Sequence, residues 1–147
     1  MGDPAAYRRQ IRALLTHDRD TARQLNRMLS PADRPEFNEY LDAVFTVLVN
    51  WRFRHGCTAD DAATFADHVT SHYRRRGVGA NEYVIEEVVL GAVGGPLLLG
   101  EIPPDRKANA QVMVIGTMTD DDPQVAARVD DFLDRSEVVF DNGRDNH

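Results

Sequence analysis

The sequence has only one cysteine, Cys57, and only one lysine, Lys107, among its 147 residues. A lone cysteine cannot form a disulfide within the chain, which suits a reducing compartment. A chain of this length does not need such a bond, because it can bury about two thirds of its unfolded surface. The first fifteen residues also lack the long apolar segment of an export signal. We therefore expect a cytoplasmic protein.

Long apolar runs and nucleotide-binding motifs are missing as well. The glycine-rich stretch from Val88 to Gly100 has 13 uncharged residues, whereas a membrane-spanning helix needs about 20. Gly95 and Gly100 have the spacing of a phosphate-binding loop, but Glu101 stands where that loop requires lysine. We expect the stretch to end a helix at Gly94 or Gly95 and to turn back over the core at residues 97–99.

Positive charge is scarce overall and unevenly placed. The chain has 17 basic against 24 acidic side chains, a net charge of −7. Residues 1–76 carry a net charge of +2 and residues 77–147 a net charge of −9. Because an acidic chain is repelled by phosphate backbones and anionic lipids, we expect neither nucleic acid nor a membrane as a partner.

Apolar residues at spacings of three and four are abundant, and this is the period of an α-helix. The stripes are Tyr7, Ile11, Leu14 and Leu15; Ala22, Leu25, Met28 and Leu29; Phe37, Leu41, Val44, Leu48 and Trp51; Ala62, Phe65, Val69 and Tyr73; Val84, Ile85, Val88, Val89, Ala92 and Val93; Ala108, Val112, Ile115 and Met118; and Val125, Val129, Phe132, Leu133, Ser136 and Phe140. The pattern predicts an all-α fold, a single irregular bundle of about six or seven helices over residues 1–140. The stripe at 37–51 is the broadest, so we place its helix at the centre. Residues 141–147 form a polar tail that need not be ordered.

Capping residues mark where several helices begin. Thr58 and Asp61 have capping-box spacing, and Asn81 precedes a helix on which Glu86 and Glu87 are assigned to the solvated side. The acidic run at 120–122 precedes Pro123, where carboxylates offset the positive end of the last helix.

Four residues form a candidate metal site. His68 and His72 are four residues apart on one helix, a spacing that lets two imidazoles share an ion such as zinc, and His55 and Cys57 precede that helix. Val69 follows His68, so this is not the H-E-x-x-H hydrolase motif. Cys57 at a helix start near His55 also has surroundings that lower a thiol pKa and activate a nucleophile. The alternative is that both histidines simply flank the core.

The most distinctive charge pattern is a row of arginines. Arg19, Arg23 and Arg27 are four residues apart and face away from the apolar stripe of their helix. Like charges at this spacing repel one another. An acidic surface opposite the row would relieve the repulsion, and the alternative is a solvated surface with counterions. The candidates in this chain are Asp120, Asp121 and Asp122, and the region 130–134, met within one chain or across a dimer.

These observations favour a binding protein over an enzyme. No pair of acids is spaced for acid–base work, no serine has a suitable base, and no cofactor loop is present. The leading hypothesis is a small acidic helical protein that binds another protein, or a second copy of itself as a homodimer, without a cofactor. The alternatives are a metal protein or enzyme centred on His55, Cys57, His68 and His72, and a bundle that holds a small apolar ligand in its core.

Overall fold

Eight helices make up the part of the chain that the computed structural model describes, residues 2–95 and 100–145. They are α1 (Pro4–Leu15), α2 (Arg19–Met28), α3 (Arg34–Arg52), α4 (Ala59–Arg74), α5 (Glu82–Ala92), α6 (Pro104–Asp121), α7 (Pro123–Ala127) and α8 (Val129–Asp145). Those ranges contain no strand, so the predicted all-α helical fold is confirmed, with one helix more than expected. Among the described residues, no helix combines the length and the apolar character needed to cross a membrane.

Local capping accounts for where the helices start. At α4, the Thr58 hydroxyl accepts a hydrogen bond from the Asp61 amide at 3.1 Å, and the Asp61 carboxylate accepts one from the Thr58 amide at 2.9 Å. Asn81 caps α5 by accepting from the amide of Tyr83 at 3.1 Å. Both predicted caps are confirmed, because each depends only on residues within one helical turn.

The helices form two compact units. Unit 1 comprises residues 1–47 and 118–147, and unit 2 comprises residues 48–117, so the boundaries fall within α3 and α6. The core of unit 1 includes Tyr7, Ile11, Leu15, Phe37, Tyr40, Leu41, Val44, Phe45, Phe132, Leu133 and Phe140. The core of unit 2 includes Leu48, Val49, Ala62, Phe65, Val69, Ile85, Val89, Val114 and Ile115. The division of the chain into one domain at 1–140 and a tail stays a prediction.

The C-terminal stripe shows how well apolar period predicts burial. All six of its residues are buried, from Val125 to Phe140. They lie on two helices rather than one, because the chain breaks at Arg128, the C-cap of the short helix α7. Helix α8 continues to Asp145, so residues 141–145 are helical, and residues 146–147 lie outside the described part of the chain.

Some inward and outward assignments were wrong. Glu87 is only 4% exposed rather than solvated, because α5 also buries Ile85, Val89 and Leu90 and is therefore covered on most sides. Met28 is 73% exposed, since α2 has no buried residue and packs chiefly on α1.

The glycine-rich stretch does end a helix, but the C-cap predicted at Gly94 or Gly95 lies one residue earlier, at Val93. Val93 takes the C-cap of α5, and Gly94 follows it with a φ of 80°, a conformation that glycine adopts without strain. The amide of Gly95 then donates to the carbonyl of Leu90 at 2.8 Å. The turn predicted at residues 97–99 lies outside the described residues.

Candidate interaction site

The turn after α1 sets α2 beside it. His17 has a φ of 63° in this turn, and the amide of Asp18 donates to the carbonyl of Ala13 at 2.8 Å. Asp18 then caps α2, because its carboxylate accepts from the amide of Thr21 at 3.2 Å. On the inner side of α2, Asn26 accepts hydrogen bonds from Gln10 and Arg34, at 3.3 and 2.9 Å. These contacts fix which side of α2 faces outward.

The predicted arginine row follows the outer side of α2, and its members have different surroundings. Residues four apart are displaced by about 40° around a helix, so the row turns gradually away from the rest of the unit. Arg19, at the start, lies 3.6 Å from Asp120, and the same carboxylate lies 3.2 Å from Nδ1 of His17. One of the predicted arginine–aspartate pairs is therefore present, within a single chain.

Arg23 and Arg27 are exposed and have no ion-pair partner in the part of the chain that the structure describes. Met28, next to Arg27, is also exposed. The outer side of α2 thus presents two unpaired cations and one large apolar side chain.

Apart from Asp120, none of the predicted acidic partners pairs with the arginine row among the described residues. Asp122 caps α7 by accepting from the amide of Gln124 at 2.9 Å, and Asp121 is exposed at the end of α6. Asp130 and Asp134 on α8 do not meet the α2 row. They meet α1, as described next.

Arginines of α1 take the acidic side of α8. Arg8 lies 2.9 Å from Asp134 and 3.2 Å from Glu137, and Arg12 contacts Asp130. Sequence reasoning missed this ladder, although the signal was there. Two arginines four residues apart match two aspartates four residues apart, one pair on each helix.

The candidate metal residues do not gather into a ligand set. No group of three or more histidine, cysteine, aspartate or glutamate side chains that could hold an ion occurs among the described residues. His55 and His68 are exposed, and His72 is half-buried with its ring 5.3 Å from that of Tyr73. The metal site at His55, Cys57, His68 and His72 stays a prediction.

Cys57 has surroundings opposite to those of an activated thiol. Burial, and then the negative charge of Asp61, raise the pKa of its thiol. The predicted lowering of the pKa is therefore wrong, because the Asp61 carboxylate that caps α4 disfavours a thiolate beside it.

Unit 2 has an open depression of about 530 Å³ at the start of α5, lined by Gly79, Ala80, Asn81, Glu82 and Tyr83. It lies at the surface and has a mixed polar and apolar lining. The predicted ligand in an apolar core is not tested by this feature and stays a prediction.

Arg23 and Arg27 are two of four arginines in unit 1, with Arg9 and Arg34, that have no ion pair among the described residues. In unit 1, six arginines lie within 3.6 Å of a carboxylate oxygen: Arg8, Arg12, Arg19, Arg128, Arg135 and Arg144. Arg23 and Arg27 are neighbours on one helix surface, and neither has such a contact with any described residue.

Comparison with known proteins finds no matching family model, no matching curated protein and no matching solved structure.

Proposed function

We propose that this protein binds another protein through the outer side of α2, and that the partner contributes an acidic segment. The α2 surface consists of Asp20, Arg23, Gln24, Arg27 and Met28, all exposed. The observation that carries the proposal is the pair Arg23 and Arg27, unpaired among the described residues of a chain whose net charge is −7.

The local charge of the two unpaired arginines favours an acidic group opposite them, despite the acidic net charge of the unit. Unit 1 has ten arginines and sixteen acidic residues, so carboxylates outnumber guanidinium groups and yet none of those described pairs with these two. Like charges four residues apart on a helix cost a few tenths of a kcal/mol, roughly. Carboxylates from a partner remove that repulsion and provide bidentate acceptors for each guanidinium.

The chemistry of the surface also fits a protein interface. Arginine and methionine are enriched at the centres of interfaces, whereas the surrounding polar residues exclude water without contributing much energy. Met28, at 73% exposed, supplies the apolar contact beside the two charges. A second copy of this chain meets the requirement for acidic groups, so self-association as a homodimer is the first case to test.

The same proposal places the protein in the cytoplasm and requires neither a cofactor nor a metal. The single cysteine and the acidic net charge support it. The net charge also disfavours nucleic acid and anionic membranes as alternative partners.

A matched pair of variants tests the α2 surface. R23E/R27E reverses both unpaired charges, and R9E/R106E makes the same change in net charge at two exposed arginines that likewise have no ion pair among the described residues. Circular dichroism first verifies that both variants keep the helical content of the parent.

Solution mass and peptide binding are then measured. The probe is a fluorescein-labelled helical peptide with glutamates four residues apart and one leucine, followed by fluorescence anisotropy. We expect R23E/R27E to weaken dimerisation or peptide binding by at least ~10-fold, which corresponds to ~1.4 kcal/mol, and R9E/R106E to change either by less than ~2-fold. A parent protein that stays monomeric and does not bind the peptide contradicts the proposal, and so does an equal loss in both variants.

A further inference from the structure

The connection between α4 and α5 has a second concentration of arginine and exposed apolar side chains. Helix α4 ends at Arg74, Arg75 takes the C-cap, and Gly77 has a φ of 75°. The amide of Val78 returns to the carbonyl of Tyr73 at 3.0 Å, which closes the turn. A run of three arginines is thereby held next to Val78, ahead of the cap of α5.

The three arginines are exposed, and two of them are unpaired. Arg74 and Arg75 have no ion-pair partner among the described residues. Cations at the C-terminus of a helix interact favourably with its dipole, and this accounts locally for a basic residue at the end of α4. It does not account for apolar side chains standing exposed beside them.

Val78 and Tyr83 are the apolar part of this surface. Val78 is 43% exposed and Tyr83 is 71% exposed, and Tyr83 lines the open depression at Gly79–Tyr83, which Val78 precedes in sequence. The described residues expose five large apolar side chains in all. Two of them therefore lie close together in sequence, Val78 in the connection that follows the arginines and Tyr83 in the first turn of α5. Tyrosine and arginine are the residues that most often dominate binding energy at protein interfaces.

We propose that this α4–α5 surface, defined as Arg74, Arg75, Arg76, Val78 and Tyr83, is a second docking surface, which binds an acidic segment of a partner protein that also presents one apolar or aromatic side chain. The arginines take the carboxylates, and Val78 and Tyr83 take the apolar side chain. This surface lies wholly in unit 2 and is independent of the α2 surface in unit 1.

Charge complementarity favours an acidic peptide over nucleic acid. Unit 2 has seven basic and eight acidic residues, so it lacks the extended positive field that attracts a phosphate backbone. A short segment with a few carboxylates and one apolar anchor suits a basic patch of this limited extent.

The test uses a fluorescein-labelled peptide of glutamates around one phenylalanine and the full-length protein, with binding followed by anisotropy. We expect R74E/R75E and Tyr83→Ser each to weaken binding by ~5- to 10-fold or more, consistent with the loss of central interface residues. R9E/R106E serves as the charge-matched control and should not change the affinity by more than ~2-fold.

A second peptide isolates the apolar contact. Replacing its phenylalanine by alanine should weaken binding to the parent protein, but should cause little further loss in Tyr83→Ser, because both changes remove the same contact. The inference is overturned if the phenylalanine peptide shows no saturable binding, or if R9E/R106E loses as much affinity as R74E/R75E. Tighter binding of oligo-deoxythymidine than of the peptide overturns it in favour of nucleic acid.

Discussion

The hydroxyl of Tyr40 on α3 donates a 2.9 Å hydrogen bond to Oε1 of Glu137 on α8, at the edge of the core of unit 1, where Tyr40 is buried and Glu137 is half-buried. Arg8 on α1 lies 3.2 Å from the same carboxylate oxygen. One glutamate therefore satisfies a fully buried tyrosine and a cation from two other helices. Three helices are joined at this point.

A second group has the same three residue types, with the tyrosine on α1, the glutamate on α3 and the arginine on α8. Tyr7 on α1 donates to Glu36 on α3 at 3.1 Å, and Arg144 on α8 lies 3.5 Å from that glutamate. The rings of Tyr7 and Tyr40 are 6.0 Å apart, so the two groups share one aromatic core. Helices α1, α3 and α8 are thus held by two tyrosine–glutamate–arginine groups.

The first prediction is that removing the acceptor costs more than removing the donor. Glu137→Ala leaves the buried Tyr40 hydroxyl without its acceptor, so we expect a loss of ~1–3 kcal/mol in the free energy of unfolding. Tyr40→Phe removes the hydroxyl itself and should cost ~1 kcal/mol. Urea unfolding measures both. Glu39→Ala, an exposed acid on α3, is the control, and an equal loss there would contradict the role of Glu137.

The second prediction concerns alkaline pH. Burial, and then Glu36, raise the pKa of Tyr7 to about 12, and burial and Glu137 also raise the pKa of Tyr40. An unfolded tyrosine ionises near pH ~10, so the stability these groups contribute is complete below pH ~10 and is lost as the pH rises through their folded pKa. We expect the free energy of unfolding to fall between pH ~10 and ~12, and to fall less in Y7F/Y40F.

Tyrosinate absorbance checks this result directly. Tyr7 and Tyr40 should ionise together with the loss of helical circular dichroism. Ionisation of all four tyrosines near pH ~10 with the helices intact would contradict the prediction.

The third prediction compares two large apolar residues. Leu48 is fully buried, so Leu48→Ala should cost ~2–5 kcal/mol, which combines lost burial with the cavity left behind. Met28→Ala should change stability by less than ~0.5 kcal/mol, because Met28 is exposed on α2. The loss of unfolding free energy is measured from the denaturant midpoints of variants whose m-values equal that of the parent. Similar losses at both positions would contradict the assigned core.

The fourth prediction concerns the close approach of α6 to Tyr73 in unit 2. A methyl group at Gly116 would lie 2.5 Å from the Tyr73 hydroxyl oxygen, whereas one at Gly143 of α8 would meet nothing within 4 Å. Gly116→Ala should therefore destabilise the protein, and Gly143→Ala should stabilise it by up to ~1 kcal/mol through helix propensity.

Tyr73→Phe removes the clashing oxygen, so Gly116→Ala should cost less in that background. We expect a coupling of at least ~0.5 kcal/mol in this double-mutant cycle. Strict additivity of the two substitutions would show that the hydroxyl does not limit the approach.

The fifth prediction concerns Cys57. Because burial and Asp61 raise the pKa of its thiol, iodoacetamide should alkylate it more slowly at neutral pH than a free thiol of the same concentration. Asp61→Asn removes the charge but keeps a side-chain oxygen for the cap, and it should speed the reaction. Asp67→Asn, at an exposed position on the same helix, should leave the rate unchanged. Mass spectrometry of alkylated protein over time measures both rates.

The sequence by itself determined where the helices lie and much of what they bury. The residues that cap α4 and α5 could be read directly, because a cap involves partners only two or three positions away. The stripe from Val125 to Phe140 predicted six buried residues correctly, because apolar period reflects burial along any helix that packs on one side. The interruption at Arg128 was missed, since no glycine or proline stands there.

Only the tertiary structure decided which charges pair and which helix surface stays open. Arg8, Arg12 and Arg23 have the same side chain and similar helical surroundings in sequence, yet the first two meet α8 and the third has no ion pair in the described part of the chain. Glu87 is buried for a similar reason, since several sides of α5 are covered. The apolar period and the capping residues are properties of a single helical segment. Ion pairing and enclosure depend on residues more than a hundred positions away, such as Arg8 and Asp134, and these are brought together only when the helices pack.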